Sequence, residues 1–130
     1  MREIIFRGKD PESGEWYYGY YVKRNDGDRG YLILEDYYLE SYEIVKPETI
    51  CQYTGLTDKN GKKIFEGDIL EGDLDDNLDP GAKWRSTVVW GAFGWMCKAR
   101  QTCPMDEFDI REGEVIGNIY DNPELVEVEK

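Results

Sequence analysis

Histidine is absent from this chain. No other side chain has an unperturbed pKa so close to neutrality, so its absence removes the commonest general base. The Ser-His and Cys-His nucleophile pairs and the usual zinc and iron ligand sets go with it. Cysteine is scarce and odd in number: Cys51, Cys97 and Cys103, with no signal peptide ahead of them. Such a set reads as reduced thiols in a cytosol-like compartment. Cys97 and Cys103 are too far apart for a CxxC redox or zinc motif, and they oppose each other only if the chain doubles back between them. Buried, inert thiols are the favoured reading. Long apolar runs are also missing. None approaches the ~20 residues needed to span a bilayer, and Arg2 and Glu3 follow Met1 with no targeting pattern. A soluble cytoplasmic protein with no membrane partner is therefore expected.

Positive charge is the other shortage. With 28 acidic against 16 basic residues, the net charge is −12. That field repels a phosphate backbone, which disfavours direct DNA or RNA binding. The basic exceptions are small clusters, Lys23, Arg24 and Arg29 in one place and Lys59, Lys62 and Lys63 in another. No 3.6-residue apolar period lasts for three helical turns, and no internal repeat is visible.

What remains is rich in aromatics and in turn residues. Ten Tyr and four Trp fall in short clusters within 130 residues, and flat rings suit a pleated, half-buried surface. Short β-favouring runs alternate with turn chemistry along the whole chain. Arg2–Gly8 and Trp16–Arg24 flank the turn at 9–15, where Pro11 fixes φ and Gly14 relaxes it. Gly19, inside the second run, predicts a bulge or the close approach of another backbone. Asn25–Gly30 turns the chain into a strand over Tyr31–Glu35, and Tyr42–Val45 follows. The stretch from 50 to 72 is the clearest. Runs at Ile50–Leu56 and Lys62–Phe65 bracket the turn Asp58-Lys59-Asn60-Gly61, and Glu66-Gly67-Asp68 then launches a strand from Ile69 to Glu71. Gly72–Lys83 (GDLDDNLDPGAK) reads as a long acidic loop. Trp84–Trp90 and Trp95–Ala99 form a hairpin, Arg100–Gly113 a polar connection, and Glu114–Tyr120 a last strand before a short turn opened by Pro123. Sequential hairpins with short turns predict an all-β, antiparallel fold.

Candidate chemistry is thin. Asp73-x-Asp75-x-Asn77 imitates the first half of a calcium loop, but Leu78 stands where that loop needs Gly and Trp84 where it needs a bidentate Glu. A solvated acidic loop is favoured over a metal site, and no cofactor is expected. No carboxylate pair among so many can be singled out as an acid–base dyad, so no catalytic residue is assigned. The segment Gly55 to Gly61 lacks the lysine context of a phosphate-binding loop and leads into no helix. The aromatic run over residues 16–21 is different, because rings fall on both faces of one strand. One face then meets something other than its own core. Trp16, Tyr18, Tyr20 and Tyr21 are the candidate interface residues, and a subunit interface is favoured over base stacking.

Three segments, CQYTGLTDKNG from Cys51, IFEGDIL from Ile64 and EVIGNIYDNPEL from Glu114, resemble the YopX family of small phage and prophage proteins. The opening Arg2-Glu3-Ile4-Ile5-Phe6-Arg7 also resembles the family's usual start. Gly72–Lys83 and Arg100–Gly113 show no matching pattern. The resemblance implies a β-rich protein with an SH3-like small barrel in its C-terminal part and a tendency to form oligomers. It brings no activity, cofactor or catalytic residue. Residues 1–49 are then expected as an N-terminal β meander packed on a barrel formed by residues 50–130. Two function classes follow. The first is a non-enzymatic, homo-oligomeric interaction module of a phage or prophage, with a host or phage protein as partner in the bacterial cytoplasm. The second is an acidic DNA mimic, whose carboxylates imitate phosphate spacing. A carboxylate-dyad enzyme ranks behind both.

Overall fold

A computed structural model describes residues 5–25, 27–34, 42–73, 83–91, 94–98, 102–104 and 113–126. Eleven strands run through them: β1 (Phe6–Lys9), β2 (Trp16–Lys23), β3 (Tyr31–Leu34), β4 (Tyr42–Ile44), β5 (Cys51–Thr57), β6 (Lys63–Phe65), β7 (Asp68–Asp73), β8 (Lys83–Gly91), β9 (Gly94–Lys98), β10 (Thr102–Pro104) and β11 (Glu114–Asn118). Every pairing between them is antiparallel, in sheets of order β4-β3-β2-β1-β5-β6 and β10-β9-β8-β7-β11. Among the described residues the only helical pieces are short 3-10 turns at Gly27–Gly30, Pro47–Thr49 and Pro123–Leu125. The all-β expectation therefore holds. The chain divides into two compact units, Met1–Gly55 and Leu56–Lys130, and the division falls inside β5.

In the first unit the hairpin of β1 and β2 runs in register from Lys9↔Trp16 to Phe6↔Gly19, with no bulge at Gly19. Asp10 shapes its turn by accepting bonds from the Glu12 and Ser13 amides at 2.8 and 3.0 Å. β3 is buried on both faces, through Leu32 and Leu34 on one and Ile33 on the other. Gly8 has a packing reason: a Cβ there would lie 2.8 Å from a Val45 methyl, so only glycine lets Val45 close over β1.

The second unit is a meander of β7, β8, β9 and β10, with β11 returning beside β7. Its core is Ile64, Leu70 and Val88, with Trp84, Trp95 and Val115 packed against it. Each of the three fully buried side chains contributes about 1.5–3 kcal/mol of apolar burial. Trp84 lies across from Gly72, and its ring occupies the space a Cβ at Gly72 would need. Gly72, Asp73 and Lys83, expected in a loop, belong to β7 and β8; residues 74–82 lie outside the described part. The polar connection expected over Arg100–Gly113 includes a short strand, β10. Pro104 is compatible with it because, among the described residues, β10 is an edge strand, where proline is tolerated. The described pairings leave β10 and β11 on opposite edges, so they do not by themselves close the ring of an SH3-like barrel.

The turns that carry the family resemblance do more than reverse the chain. At the β5–β6 turn, Asp58 is buried at 6% exposure. Its Oδ1 accepts from the amides of Asn60 and Lys62, both at 2.9 Å, and its Oδ2 accepts from the amide of Val115 in β11, also at 2.9 Å. Lys59 N–H adds a bond to the Gly113 carbonyl at 2.9 Å. Gly61 closes the turn with φ +81°, a conformation a β-branched residue resists. At the next turn Gly67 has φ +84°; its N–H donates to the Val88 carbonyl and its carbonyl accepts from Ile119 N–H, at 2.8 and 2.9 Å. Asp68, also buried, accepts from the Phe65 amide at 2.8 Å.

After β11 the Asn118 side chain accepts from the amides of Tyr120 and Asp121 at 3.0 and 2.9 Å, and donates to the Asp121 carboxylate at 3.1 Å. Asn122 Oδ1 accepts from the Asn118 amide at 3.2 Å and lies 2.4 Å from where a Gly117 Cβ would sit. Pro123 then opens the 3-10 turn at its first position.

Burial alone would raise the pKa of Asp58, but the amides of Val115, Lys62 and Asn60, with the Lys62 charge, outweigh it and hold the carboxyl below its ordinary range. A depressed folded-state pKa contributes stability that is fully present above the unfolded carboxyl value, about 3.9. That contribution is lost as the pH falls through the lower, folded value. Asp58→Ala should lower stability by about 2–4 kcal/mol, since three N–H donors lose one charged acceptor. Denaturant titration at neutral pH should show this loss, and it should shrink on acidification below the ordinary carboxyl range. A cost that does not change with pH would contradict the bonding described. Gly61→Val should cost about 1–3 kcal/mol by the same titration, from backbone strain alone, because nothing lies within 4 Å of the added Cβ.

Candidate functional site

β2 is the strand that presents side chains outward. Alternation along it places Trp16, Tyr18 and Tyr20 on one face and Tyr17 and Tyr21 on the other. The sequence-predicted interface residues are thus divided: three share a surface and Tyr21 does not. Tyr21 is half-buried and packs against Phe6, with ring centroids 5.6 Å apart. Tyr17 on that same face donates its hydroxyl to Asp10 at 3.2 Å. Partial desolvation and this bond hold the Tyr17 phenol above its usual pKa, while the Ser13 and Glu12 amides keep Asp10 below its own.

The outer face is built from both neighbours of β2. Lys9 and Arg7 stand opposite Trp16 and Tyr18 in the register. The Arg7 guanidinium lies 4.6 Å from the Trp16 ring centroid and Lys9 Nζ 5.6 Å from it, a geometry in which ring quadrupole and cation attract. On the other side, Tyr20, Leu34 and Tyr42 form one cross-strand row over β2, β3 and β4. Tyr18, Tyr20 and Tyr42 are 50%, 44% and 45% exposed, whereas Leu34 between two of them is buried. The result is a row of exposed rings, with the half-buried Trp16 at one end packed against the buried Arg7 and the half-buried Lys9. Tyr42 was not among the candidates drawn from the sequence, because its place in the row depends on the β3–β4 register.

The remaining candidates lie elsewhere. Asp73 is exposed at the end of β7 and forms an ion pair with Lys83 at 2.7 Å; that bond and charge lower the Asp73 pKa and raise that of Lys83. Asp75 and Asn77 lie outside the described residues, among which no cluster of potential metal ligands occurs. Glu71 is bonded to Arg85 at 2.8 Å, and Arg85 also donates to the Leu125 carbonyl. In the second unit Trp90, 62% exposed, meets Trp95 edge-on with centroids 4.8 Å apart. Cys51 is buried and its thiol donates to the Thr49 carbonyl at 3.1 Å. The chain does double back between the other two cysteines, since Cys97 and Cys103 are directly opposed in the β9–β10 register.

Opposed residues in such a pair have Cα atoms about 4.5–5.5 Å apart, within the ~4.4–6.8 Å range that a disulfide spans. Glutathione disulfide should therefore convert Cys97 and Cys103 to an intramolecular disulfide, releasing two glutathione thiols and leaving Cys51 free. Peptide mapping by mass spectrometry reads this directly. Preferential bonding through Cys51 would contradict the register.

The YopX protein family model matches residues 5–127. A crystal structure of an Enterococcus faecalis protein is similar, with 26% sequence identity and a TM-score of 0.63 over 98% of this chain and 100% of that one. No curated protein sequence matches. The buried turn carboxylates, glycines and asparagines described above coincide with the segments that resemble the family, and the match runs across nearly the whole chain: it belongs to the YopX family.

Proposed function

We propose that this chain is a non-enzymatic accessory protein of phage or prophage origin. It works in the cytoplasm of a bacterial host by self-association and protein contact, and the outer face of β2 is its contact surface. The observation that carries this reading is the row of exposed rings, Tyr18, Tyr20 and Tyr42, beside the half-buried Trp16. Aromatic side chains are among the groups that dominate binding energy when a surface is desolvated, and tyrosine gives large contact area at low entropic cost. The residues of the family segments are occupied in turns and ladders, which supports a structural duty for them.

The disposition of charge weighs against the DNA-mimic reading. Asp58 and Asp68 are buried acceptors, Asp10 shapes a turn, and Glu71 and Asp73 are bonded to cations. These carboxylates are engaged within the fold and are not presented as free charges in place of phosphates. No described helix is long and apolar enough to cross a membrane.

Sedimentation equilibrium tests the proposal. The wild-type chain should self-associate at micromolar concentration and hold together when salt is raised, as an aromatic contact does. The double variant Tyr18→Ser/Tyr20→Ser should keep its fold, since neither side chain is buried in the core, and weaken association on the order of 100-fold. Equal association constants for the two proteins would refute the assignment of this face.

A further inference from the structure

β4 is the outermost strand of its sheet among the described residues, bonded to β3 alone. Its hydrogen-bonding phase follows from one contact. Val45 N–H donates to the Tyr31 carbonyl at 2.9 Å, so the pair Tyr31–Val45 is a bonded one. Antiparallel pairs alternate between bonded and non-bonded, so Ile33–Glu43 is bonded while Leu32–Ile44 and Leu34–Tyr42 are not. The backbone N–H and C=O groups of Tyr42 and Ile44 therefore point away from β3, along the edge of the sheet.

A cleft of about 500 Å³ lies along this edge, lined by Tyr42, Glu43 and Ile44 together with Asp10 and Glu12 from the β1–β2 turn, and by Arg29. Three carboxylates face one guanidinium, so the cleft favours positive charge. Asp10 is committed to the ionised form by the two turn amides it accepts from. A sheet edge with alternate backbone groups turned outward is a template for another strand. A side pocket of this volume beside it gives selectivity for alternate side chains.

We propose that the β4 edge binds an extended, cationic segment of a partner protein as an added antiparallel strand. The backbone groups of Tyr42 and Ile44 supply the ladder bonds, and Asp10, Glu12 and Glu43 receive Lys or Arg at alternate positions of the ligand. The site uses backbone groups at the edge of the sheet and shares only Tyr42 with the aromatic row, which contributes its side chain there and its backbone here. It should survive in the Tyr18→Ser/Tyr20→Ser variant whether or not that variant still self-associates, so failure of one assignment leaves the other standing.

The test uses the full chain and a positional-scanning library of blocked hexapeptides, acetylated and amidated at their ends. The expected result is selection of Lys or Arg at every second position, with amide chemical-shift changes at Tyr42 and Ile44 on adding the selected peptide. N-methylation of that peptide at alternate residues should abolish binding. Charge reversal by Glu12→Lys or Glu43→Lys should weaken binding about tenfold, a size ordinary for one charge in a partly exposed contact. Four results would overturn the proposal. No library member perturbs the two amides; selection favours acidic or neutral residues; N-methylated and parent peptides bind equally; or the same amides shift with protein concentration alone in the Tyr18→Ser/Tyr20→Ser variant, which would make the edge a contact between copies of this chain.

Discussion

One carboxylate fixes the geometry of the second unit. Asp58 gathers the amides of Asn60 and Lys62 within its own turn and that of Val115, 57 residues away in sequence. An antiparallel sheet built from short strands depends on register, because a slip of one residue turns every side chain to the opposite face. β11 needs such a constraint, since its pairing with β7 shifts between Val115 and Gly117. The Asp58 bond to Val115 meets β11 at the start of that irregularity. Gly67 meets its other end through the Ile119 amide. Val115, the residue bonded to Asp58, also packs against the core of Ile64, Leu70 and Val88.

The same economy gives the polar residues of the YopX-family segments a structural duty. Asp, Asn and Gly are the residues of active loops and also the residues of demanding turns. Here Asp58, Asp68, Asn118 and Asn122 have their side-chain acceptors turned towards backbone amides. Gly117 is empty of side chain because Asn122 occupies the space. Part of the acidic composition behind the net charge of −12 is therefore engaged within the fold.

What could be read beforehand follows this division. Turns with a local signature were legible: Asn60-Gly61, Glu66-Gly67-Asp68 and Asn122-Pro123 all lie where their chemistry placed them, because positive φ at Gly61 and Gly67 and the fixed φ of proline are properties of single residues. The long-range half of Asp58 was not, since nothing local distinguishes a carboxylate that caps its own turn from one that also reaches Val115. β10 was hidden inside the polar run Arg100–Gly113, which shows no β-favouring pattern of its own. The aromatic surface was legible as an excess of rings on β2, while Tyr42 and the separation of Tyr21 from the other three required the register of β2, β3 and β4.

Native-state hydrogen exchange resolved by residue tests the constraint most directly. If the Asp58 carboxylate locks β11 onto the β5–β6 turn, the amides of Asn60, Lys62 and Val115 exchange together, at the rate of the β7 and β8 amides, and only through opening of the whole unit. If Asn60 and Lys62 exchange rapidly while Val115 stays protected, the turn frays independently. The carboxylate would then be a local cap and not the tie that organises the sheet.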